Sequence, residues 1–479
     1  MTKQLIPFTR SAAPRGASLG LALVLTLALG GCMSMAPKYE RPAAPVAAAF
    51  PQLQALTPTG AASGEAAANI AWQRFFADAR LKQLIDLALA NNRDLRVAIL
   101  NIEQARAAYQ IRRADILPTV SLAASGNRVP GPNDSIASTY QVGLAVSSFE
   151  LDFFGRVRSL SDAALAQFLA TEEARKSTHI SLVASVANAY LSLLANEELY
   201  VLTKQTLDAR LESLKLIQLK YDNGVVSKLD LQQGLSLVDS ARVTLAQQER
   251  LRVQDANLLT LLVGQPLPAN PAGNVTLAGT ELSDLPPGLP SDLLTVRPDI
   301  RAAEQQLIAA NANIGAARAA FFPRIALTGS AGSASTELSG LFKSGSFGWT
   351  FAPQAVLPIF DYGRNSANLG SARAGRDIAV AQYERSIQSA FREVADALAG
   401  QATLGEQLRA QRAVAAAEQE RFNLSDLRYK NGASSYLDLL DAQRSLFTAQ
   451  QQAVQANLQR LQNQVTLYRV LGGGWKAVQ

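Results

Sequence analysis

The side chains that carry most enzymatic chemistry are nearly missing from this chain of 479 residues, which holds one histidine, His179, and one cysteine, Cys32. A nucleophile–base pair or a His/Cys metal set needs several such groups brought together. No P-loop and no G-x-G-x-x-G fingerprint stands in a strand–turn–helix setting. Carboxylates are plentiful but scattered. The composition argues against an enzyme and against a bound cofactor or metal. His179, alone on a helical stretch, reads as structural. One charged pair stands out: Asp441 and Arg444, one helical turn apart. On an open helix surface an i,i+3 pair contributes about 0.2–0.5 kcal/mol. In a narrow, partly dehydrated ring the same charges would matter far more. The residues alone leave both readings open.

Cys32 is explained by what precedes it. Lys3, Arg10 and Arg15 form a positive region, Leu21 to Leu29 a short apolar one, and small residues follow. This is a secretory signal, too short to span a membrane. It ends in Leu29-Gly30-Gly31-Cys32, which resembles the bacterial lipobox. The bland alternative is an ordinary signal with an incidental cysteine, but the cysteine sits directly after the apolar run. The lipobox resemblance implies a mature chain beginning at Cys32, with N-acyl and S-diacylglycerol groups on it. With Met33 and Ser34 following in place of Asp, it also implies sorting to the outer membrane. Acyl chains anchor by burying CH₂ groups, at about 0.8 kcal/mol each. Losing Lys3, Arg10 and Arg15 lowers the net charge from +6 to +3. No basic run with interleaved aromatics accompanies it, so nucleic acid is not an expected partner.

The elements that must position these residues come in two copies. Tyr221-Asp222-Asn223-Gly224 recurs as Tyr429-Lys430-Asn431-Gly432, 208 positions later, and Gly155-Arg156 recurs as Gly363-Arg364. Earlier in each unit the offset is 205, where Asp94-Leu95-Arg96 meets Asp299-Ile300-Arg301 and Pro118 meets Pro323. The three-residue slip must fall between the proline and the Gly-Arg. These boundaries divide the chain into a signal (1–31), a Pro/Ala-rich extended segment (32–75) and two repeats (76–275 and 276–479). Leu231, Leu235, Val238, Arg242 and Leu245, apolar but for the arginine, step by four and three. So do Val454, Leu458, Leu461 and Val465, which is the coiled-coil period. Long helices are predicted on both sides of each Asn-Gly pair, which becomes the turn of a helical hairpin, Gly closing the helix end in the left-handed conformation. No stretch after residue 31 approaches 18 uninterrupted apolar residues.

After each proline the period changes to two. Tyr140, Val142, Leu144 and Val146 alternate with small or polar residues, as do Phe347, Trp349 and Phe351. Strands are predicted at about 118–128, 139–149, 324–335 and 346–357, with a polar turn, Pro130-Gly131-Pro132-Asn133-Asp134, between the first two. Each is long enough to cross a bilayer when tilted. Periodicity alone would also suit a small soluble β-domain; outer-membrane targeting favours membrane strands. Four strands cannot close a barrel, and open sheet edges are forbidden in hydrocarbon. Several chains must then share one barrel. Two copies give eight strands, whose interior side chains fill, and three give twelve, enough to enclose a channel.

The whole pattern resembles the TolC-type outer membrane factors, in particular the lipoprotein branch that serves resistance–nodulation–division efflux pumps. The resemblance spans about Tyr39 to Gly474. It rests on Glu150-Leu151-Asp152-Phe153-Phe154-Gly155-Arg156, Arg297-Pro298-Asp299-Ile300-Arg301, Ala316-Ala317-Arg318-Ala319-Ala320-Phe321-Phe322-Pro323, Leu357-Pro358-Ile359-Phe360-Asp361-Tyr362-Gly363-Arg364 and Leu440-Asp441-Ala442-Gln443-Arg444. It implies an α+β membrane protein: a homotrimer with a twelve-stranded β-barrel, four strands per chain, continued by a long α-helical coiled-coil barrel in the periplasm. Such a duct conducts small compounds such as drugs passively, with a periplasmic adaptor and an inner-membrane resistance–nodulation–division pump as partners. The resemblance matches Leu437, Asp441 and Arg444 to the periplasmic gate. It matches Gly224-Val225-Val226-Ser227 and Gly432-Ala433-Ser434-Ser435 to adaptor-docking tips, whose plain reading is turn chemistry alone. An exit duct for protein secretion or metal export, or a non-channel coiled-coil lipoprotein, are the rival functions, and the last has no use for four strands.

Replacing Cys32 by Ala is expected to abolish acylation and weaken membrane attachment, although the strands could still insert. Mass spectrometry of the mature N-terminus is the check, and an unmodified cysteine or cleavage at another site in the parent protein would refute it.

Overall fold

The structure, a computed structural model, describes residues 34–47, 66–130, 136–269, 273, 275–283, 285 and 290–475. The signal, Cys32 and the turn residues Gly131 to Asp134 lie outside the described residues. Among the described residues the main elements are α1 (Ala79–Asn91), α2 (Arg93–Ala114), β1 (Val120–Pro130), β2 (Ile136–Leu151), α3 (Arg156–Asp222), α4 (Lys228–Val263), α5 (Pro298–Ala319), β3 (Arg324–Ser335), β4 (Phe347–Val356), α6 (Arg364–Lys430) and α7 (Tyr436–Val470). Residues 34–47 form neither helix nor strand, while Ala67–Asn69 and Trp72–Phe75 form short helical turns. The chain divides into two compact units, one of residues 1–41, 105–168 and 305–380, the other of 42–104, 169–304 and 381–479. Each repeat contributes to both.

The first unit is built on an antiparallel sheet in the order β1-β2-β3-β4. β1 pairs with β2 through Val120↔Val146, and β3 with β4 through Ile325↔Ala355. β2 pairs with β3 through Val146↔Gly329 and then, past a bulge, Phe149↔Leu327. The bulge accounts for a break in the sequence pattern. Apolar residues fall on even positions from Tyr140 to Val146 and on odd ones from Phe149 to Leu151. One extra residue restores the face that a parity change would reverse. Ser148 carries the strain with φ 53°, and its N–H donates to Thr328 Oγ1 at 3.3 Å.

The registers also explain the slip between repeats. Val120 occupies the place of Ile325 (offset 205), so its partner Val146 occupies that of Ala355 (offset 209). After the bulge the offset is 208. The second β-hairpin loop therefore holds four extra residues and β2 one, for a net slip of three. The observed strands differ from the predicted bounds mainly at β2, which the bulge carries from Ile136 to Leu151.

Where β2 and β3 cross, Gly143 faces Gly332. A Cβ on Gly143 would lie 2.5 Å from the Ala331 carbonyl oxygen, and one on Gly332 would strike Val142 O and Gly143 Cα. At the foot of β2, Glu150 accepts from Arg156 Nη2 at 2.6 Å and Arg324 Nε at 2.7 Å. That pins the strand, its neighbour and the first turn of α3 to one carboxylate. Gly155 (φ 71°) and Gly363 (φ 81°) close the strand-to-helix junctions at which α3 and α6 begin.

The second unit is helical and holds most of α3 and α6, each of which is 67 residues long, about 100 Å of helix at 1.5 Å per residue. α3 contains a window apolar enough for a membrane span by composition, yet 67% of that window is buried inside the structure. The predicted face of α1 (Leu81, Leu84, Ile85, Ala88) is buried throughout. The seam of α4 departs from expectation. Leu231 and Val238 are buried, but so are Gly234 and Ala241, whereas Leu235 and Arg242 are exposed. The small residues win these places because the helices approach closely: a Cβ on Gly234 would lie 3.2 Å from Leu214 Cδ1 and Tyr436 Oη.

Substituting Val for Gly332 is expected to prevent the sheet from forming and to eliminate assembled protein from outer-membrane fractions, read on a native gel. Normal assembly of Gly332→Val would show that the strands can separate here.

Candidate functional site

The predicted tips are two copies of one helix–turn–helix. Gly224 (φ 74°) and Gly432 (φ 71°) take the left-handed conformation. Val225 N–H donates to Lys220 O at 2.8 Å, and Ala433 N–H to Arg428 O at 2.8 Å. The Asn223 and Asn431 side chains donate back to Leu219 O (2.7 Å) and Leu427 O (2.8 Å). Ser227 and Ser435 then cap the returning helices in full capping boxes with Asp230 and Asp438. Of the eight tip residues, the two glycines and the two capping serines are thus held by turn chemistry. Val225 and Ala433 are exposed beyond it, with Val226 and Ser434 half-buried.

The two hairpins pack on each other just behind these turns. Tyr436, Leu439 and Leu440 of α7 join Ile217, Leu231 and Leu237 in one apolar cluster. The Tyr436 ring lies 5.5 Å from that of Tyr429, which in turn sits 4.5 Å from Lys220 Nζ. Burial pushes the Tyr436 phenol above its ordinary pKa, against a hydrogen bond with Ser213. This places the opposite face of α7 outward. Leu437, 53% exposed, is followed on that face by Asp441 and Arg444, at steps of four and three residues.

The structure therefore brings the three predicted gate residues onto one exposed stripe, but the charge pairing differs from expectation. Asp441 Oδ2 accepts from Arg421 Nη2, across the hairpin on α6. Arg421 also contacts Glu418 at 3.1 Å. Among the described residues no ion pair joins Asp441 to Arg444. The reason is geometric. In a helical hairpin, residues equally far from the turn face each other, and Arg421 and Asp441 each lie ten residues from Asn431. Reflection about the Asn-Gly turn was the signal that would have found Arg421. The same reflection in the first hairpin pairs Ser213 with Gln233, so the charge pair exists in one repeat only. Arg444 instead lies near a second cation. Arg210 is buried, donates to Leu237 O at 3.0 Å and stacks 5.2 Å from the Phe447 ring. Its guanidinium is pushed below its ordinary pKa by burial and then by Arg444.

Comparison with known proteins follows the same outline. The family model described as outer membrane efflux protein matches residues 84–265 and 289–473, one match per repeat. The toluene efflux pump outer membrane protein TtgC of Pseudomonas putida is 49% identical over 463 residues, 95% of each chain. Outer membrane protein OprJ of Pseudomonas aeruginosa is 49% identical over 469 residues, again 95% of each. Among solved structures, the open state of the Neisseria gonorrhoeae MtrE outer membrane channel superposes with a TM-score of 0.85 at 42% identity. The match covers 93% of this chain and 99% of that one.

Replacing Tyr436 by Ala removes a buried ring, at a cost of about 3–5 kcal/mol. Hydrogen exchange is expected to accelerate in the first turns of α7 and the facing turns of α3 and α4, and to stay unchanged in the sheet. Protection that stays unchanged at the tips would show that the ring does not hold the hairpins together.

Proposed function

Because the chain belongs to the outer membrane efflux protein family, we propose that it is the homotrimeric exit duct of a tripartite efflux system, gated at its α3–α4 and α6–α7 tips. It is an outer membrane channel. The observation that carries the detail is the open sheet: one face of β4 shows Phe347, Trp349 and Phe351, the other Gly348, Thr350, Ala352 and Gln354. Ser330 and Thr350 share a hydroxyl hydrogen bond of 2.7 Å on that second face. An aromatic side suits hydrocarbon and a small polar one suits water. Twelve such strands enclose an aqueous lumen. Transport through it is passive, the driving force coming from an inner-membrane pump of the resistance–nodulation–division type through a periplasmic adaptor. The relatives' names, which include toluene, solvent and antibiotic efflux, support small organic compounds as cargo. Acyl groups on Cys32 add an anchor to the inserted strands.

At the tips, three copies of Asp441 around one axis would repel each other. Arg421 neutralises each within its own chain, and Arg444 is left to face a neighbouring copy. Leu437, one turn closer to the turn residues, supplies an apolar constriction that resists wetting. The exposed Val225 and Ala433 turns offer the adaptor a surface whose engagement would spread the hairpins.

The Arg421–Asp441 pair is half exposed, so its contribution to stability is about 0–1 kcal/mol. Asp441→Ala, Arg421→Ala and Asp441→Ala with Arg444→Ala are each expected to raise single-channel conductance in planar bilayers several-fold. The thermal stability of the trimer should change little. Unchanged conductance in all three, with trimers intact, would place the constriction elsewhere.

A further inference from the structure

One carboxylate of the helical unit is enclosed without a partner. Glu198, on α3, lines a cleft of about 500 Å³ together with residues of α6, α7 and the segment 275–278. That volume is in the range of small-molecule sites. Leu194, Val201 and Val454 give the cleft apolar walls. Glu198 Oε2 is buried and accepts no hydrogen bond among the described residues. Burial pushes the carboxyl above its ordinary pKa, and the nearby Arg412 charge opposes that push. Arg412, on α6, lines the same cleft, yet among the described residues no ion pair joins it to Glu198. Two neighbours in the cleft are already engaged: Glu197 pairs with Arg252 at 2.6 Å, and Asn457 Nδ2 donates to Leu277 O at 3.3 Å. The second repeat shows what Glu198 lacks. At offset 208 Glu198 becomes Glu406 and Val201 becomes Arg409. Glu406 is exposed and accepts from Arg409 Nε at 2.8 Å, one turn along the helix. The repeat that leaves its glutamate in solvent supplies an arginine, and the repeat that encloses it supplies a valine. An enclosed carboxylate needs a partner more than an exposed one does. The partner of Glu198 therefore comes from outside the chain.

We propose that the cleft binds an amphoteric organic compound, whose ammonium group donates to Glu198, whose carboxylate accepts from Arg412 and whose apolar body lies on Leu194, Val201 and Val454. Glu198 and Arg412 are opposite charges, close enough for one to act on the other and too far apart to bond. An ammonium and a carboxylate on one carbon bridge such a gap, each making a charge-assisted hydrogen bond with the end of opposite sign. A plain amine would meet Glu198 but be repelled by Arg412, and a plain acid would meet Arg412 but be repelled by Glu198. Only the amphoteric compound neutralises both. Val201 opens the site, because an arginine there would fill the space and cap the carboxylate, as Arg409 caps Glu406. The ligand touches α3 of the first repeat and α6 and α7 of the second, so its binding ties the two together. The site is distinct from the tips: Glu198 stands 19 residues before Ile217 of the Tyr436 cluster, about 28 Å along α3. Every residue it uses belongs to one chain, so it stands apart from the channel reading above.

Three probes of one shape and different charge test this on the full-length protein purified in detergent: naphthylalanine, naphthylethylamine and naphthylpropanoate. Equilibrium dialysis gives each dissociation constant, and uptake by the detergent itself is common to every variant. Naphthylalanine is expected to bind the parent protein with a Kd below about 1 mM, and about tenfold or more tightly than either singly charged probe. Glu198→Gln keeps the shape of the side chain and removes its charge, and it should weaken naphthylalanine by about tenfold or more, as should Arg412→Gln. Val201→Arg gives the first repeat the pair that the second has, and should abolish binding. None of the three should impair folding. Glu198→Gln removes an enclosed, unpartnered charge and Val201→Arg gives it a partner, so both proteins should melt at the parent's temperature or above it. On binding, hydrogen exchange should slow in residues 194–205, 412–415 and 450–457 and stay unchanged at the tips. A naphthylalanine affinity that Glu198→Gln leaves unchanged, binding that leaves exchange in those three segments unchanged, or no binding to the folded parent overturns the proposal. Naphthylethylamine binding as tightly as naphthylalanine shows that Arg412 takes no part and overturns the amphoteric assignment.

Discussion

A β-strand in hydrocarbon cannot leave its backbone unpaired, and the rest of this molecule depends on that constraint. Each unpaired N–H or C=O there costs several kcal/mol. The four strands are paired with one another along their inner edges only, and β1 and β4 offer outer edges of eleven and ten residues. A helix satisfies its own backbone, so α3 and α6 place no such demand on their surroundings. The sheet does. Oligomerisation is therefore a requirement of the strands, and the channel is its consequence, since strands that close around an axis with small polar residues on one face must enclose water.

Much of this was legible in the residues because it depends on local chemistry. The Asn-Gly turns and the alternation of Phe347, Trp349 and Phe351 need only neighbours a few positions apart. What escaped depended on distances in space. The α4 seam was assigned to Leu235 and Arg242, yet Gly234 and Ala241 occupy it, because interhelical closeness at that point favours the smallest side chains over the more apolar ones. The bulge in β2 was visible as a parity change between Val146 and Phe149, but its meaning required the strand opposite. Arg421 was missed because Arg444 is nearer to Asp441 in sequence. Across an antiparallel hairpin, distance from the turn decides contact.

The two repeats also show which parts of the duplicated design were free to diverge. The turns have not: both keep the left-handed glycine, the back-bonding asparagine and the capping serine. The strand-to-helix junctions have. Glu150 binds Arg156 and Arg324 at the first junction, and Pro358 stands in its place at the second. At the first junction a largely enclosed carboxylate is held between two guanidinium groups of the same chain, so its charge is never left without a partner.

The same divergence separates an apolar frame from a charged stripe at the tips. In the first hairpin the facing positions are Ser213 and Gln233, and Ser213 serves Tyr436 of the second hairpin. In the second they are Arg421 and Asp441. Both hairpins share the apolar cluster around Tyr436, which fixes their spacing. The ion pair is half exposed and adds little to that spacing. A group that contributes little to stability can be rearranged at little cost, whereas a buried tyrosine cannot. Holding the hairpins through the cluster and setting the charge of the stripe through the pair lets the two tasks vary independently. In the gating proposed for the tips, an opening motion that keeps Tyr436 buried need only exchange the partners of Arg421 and Asp441.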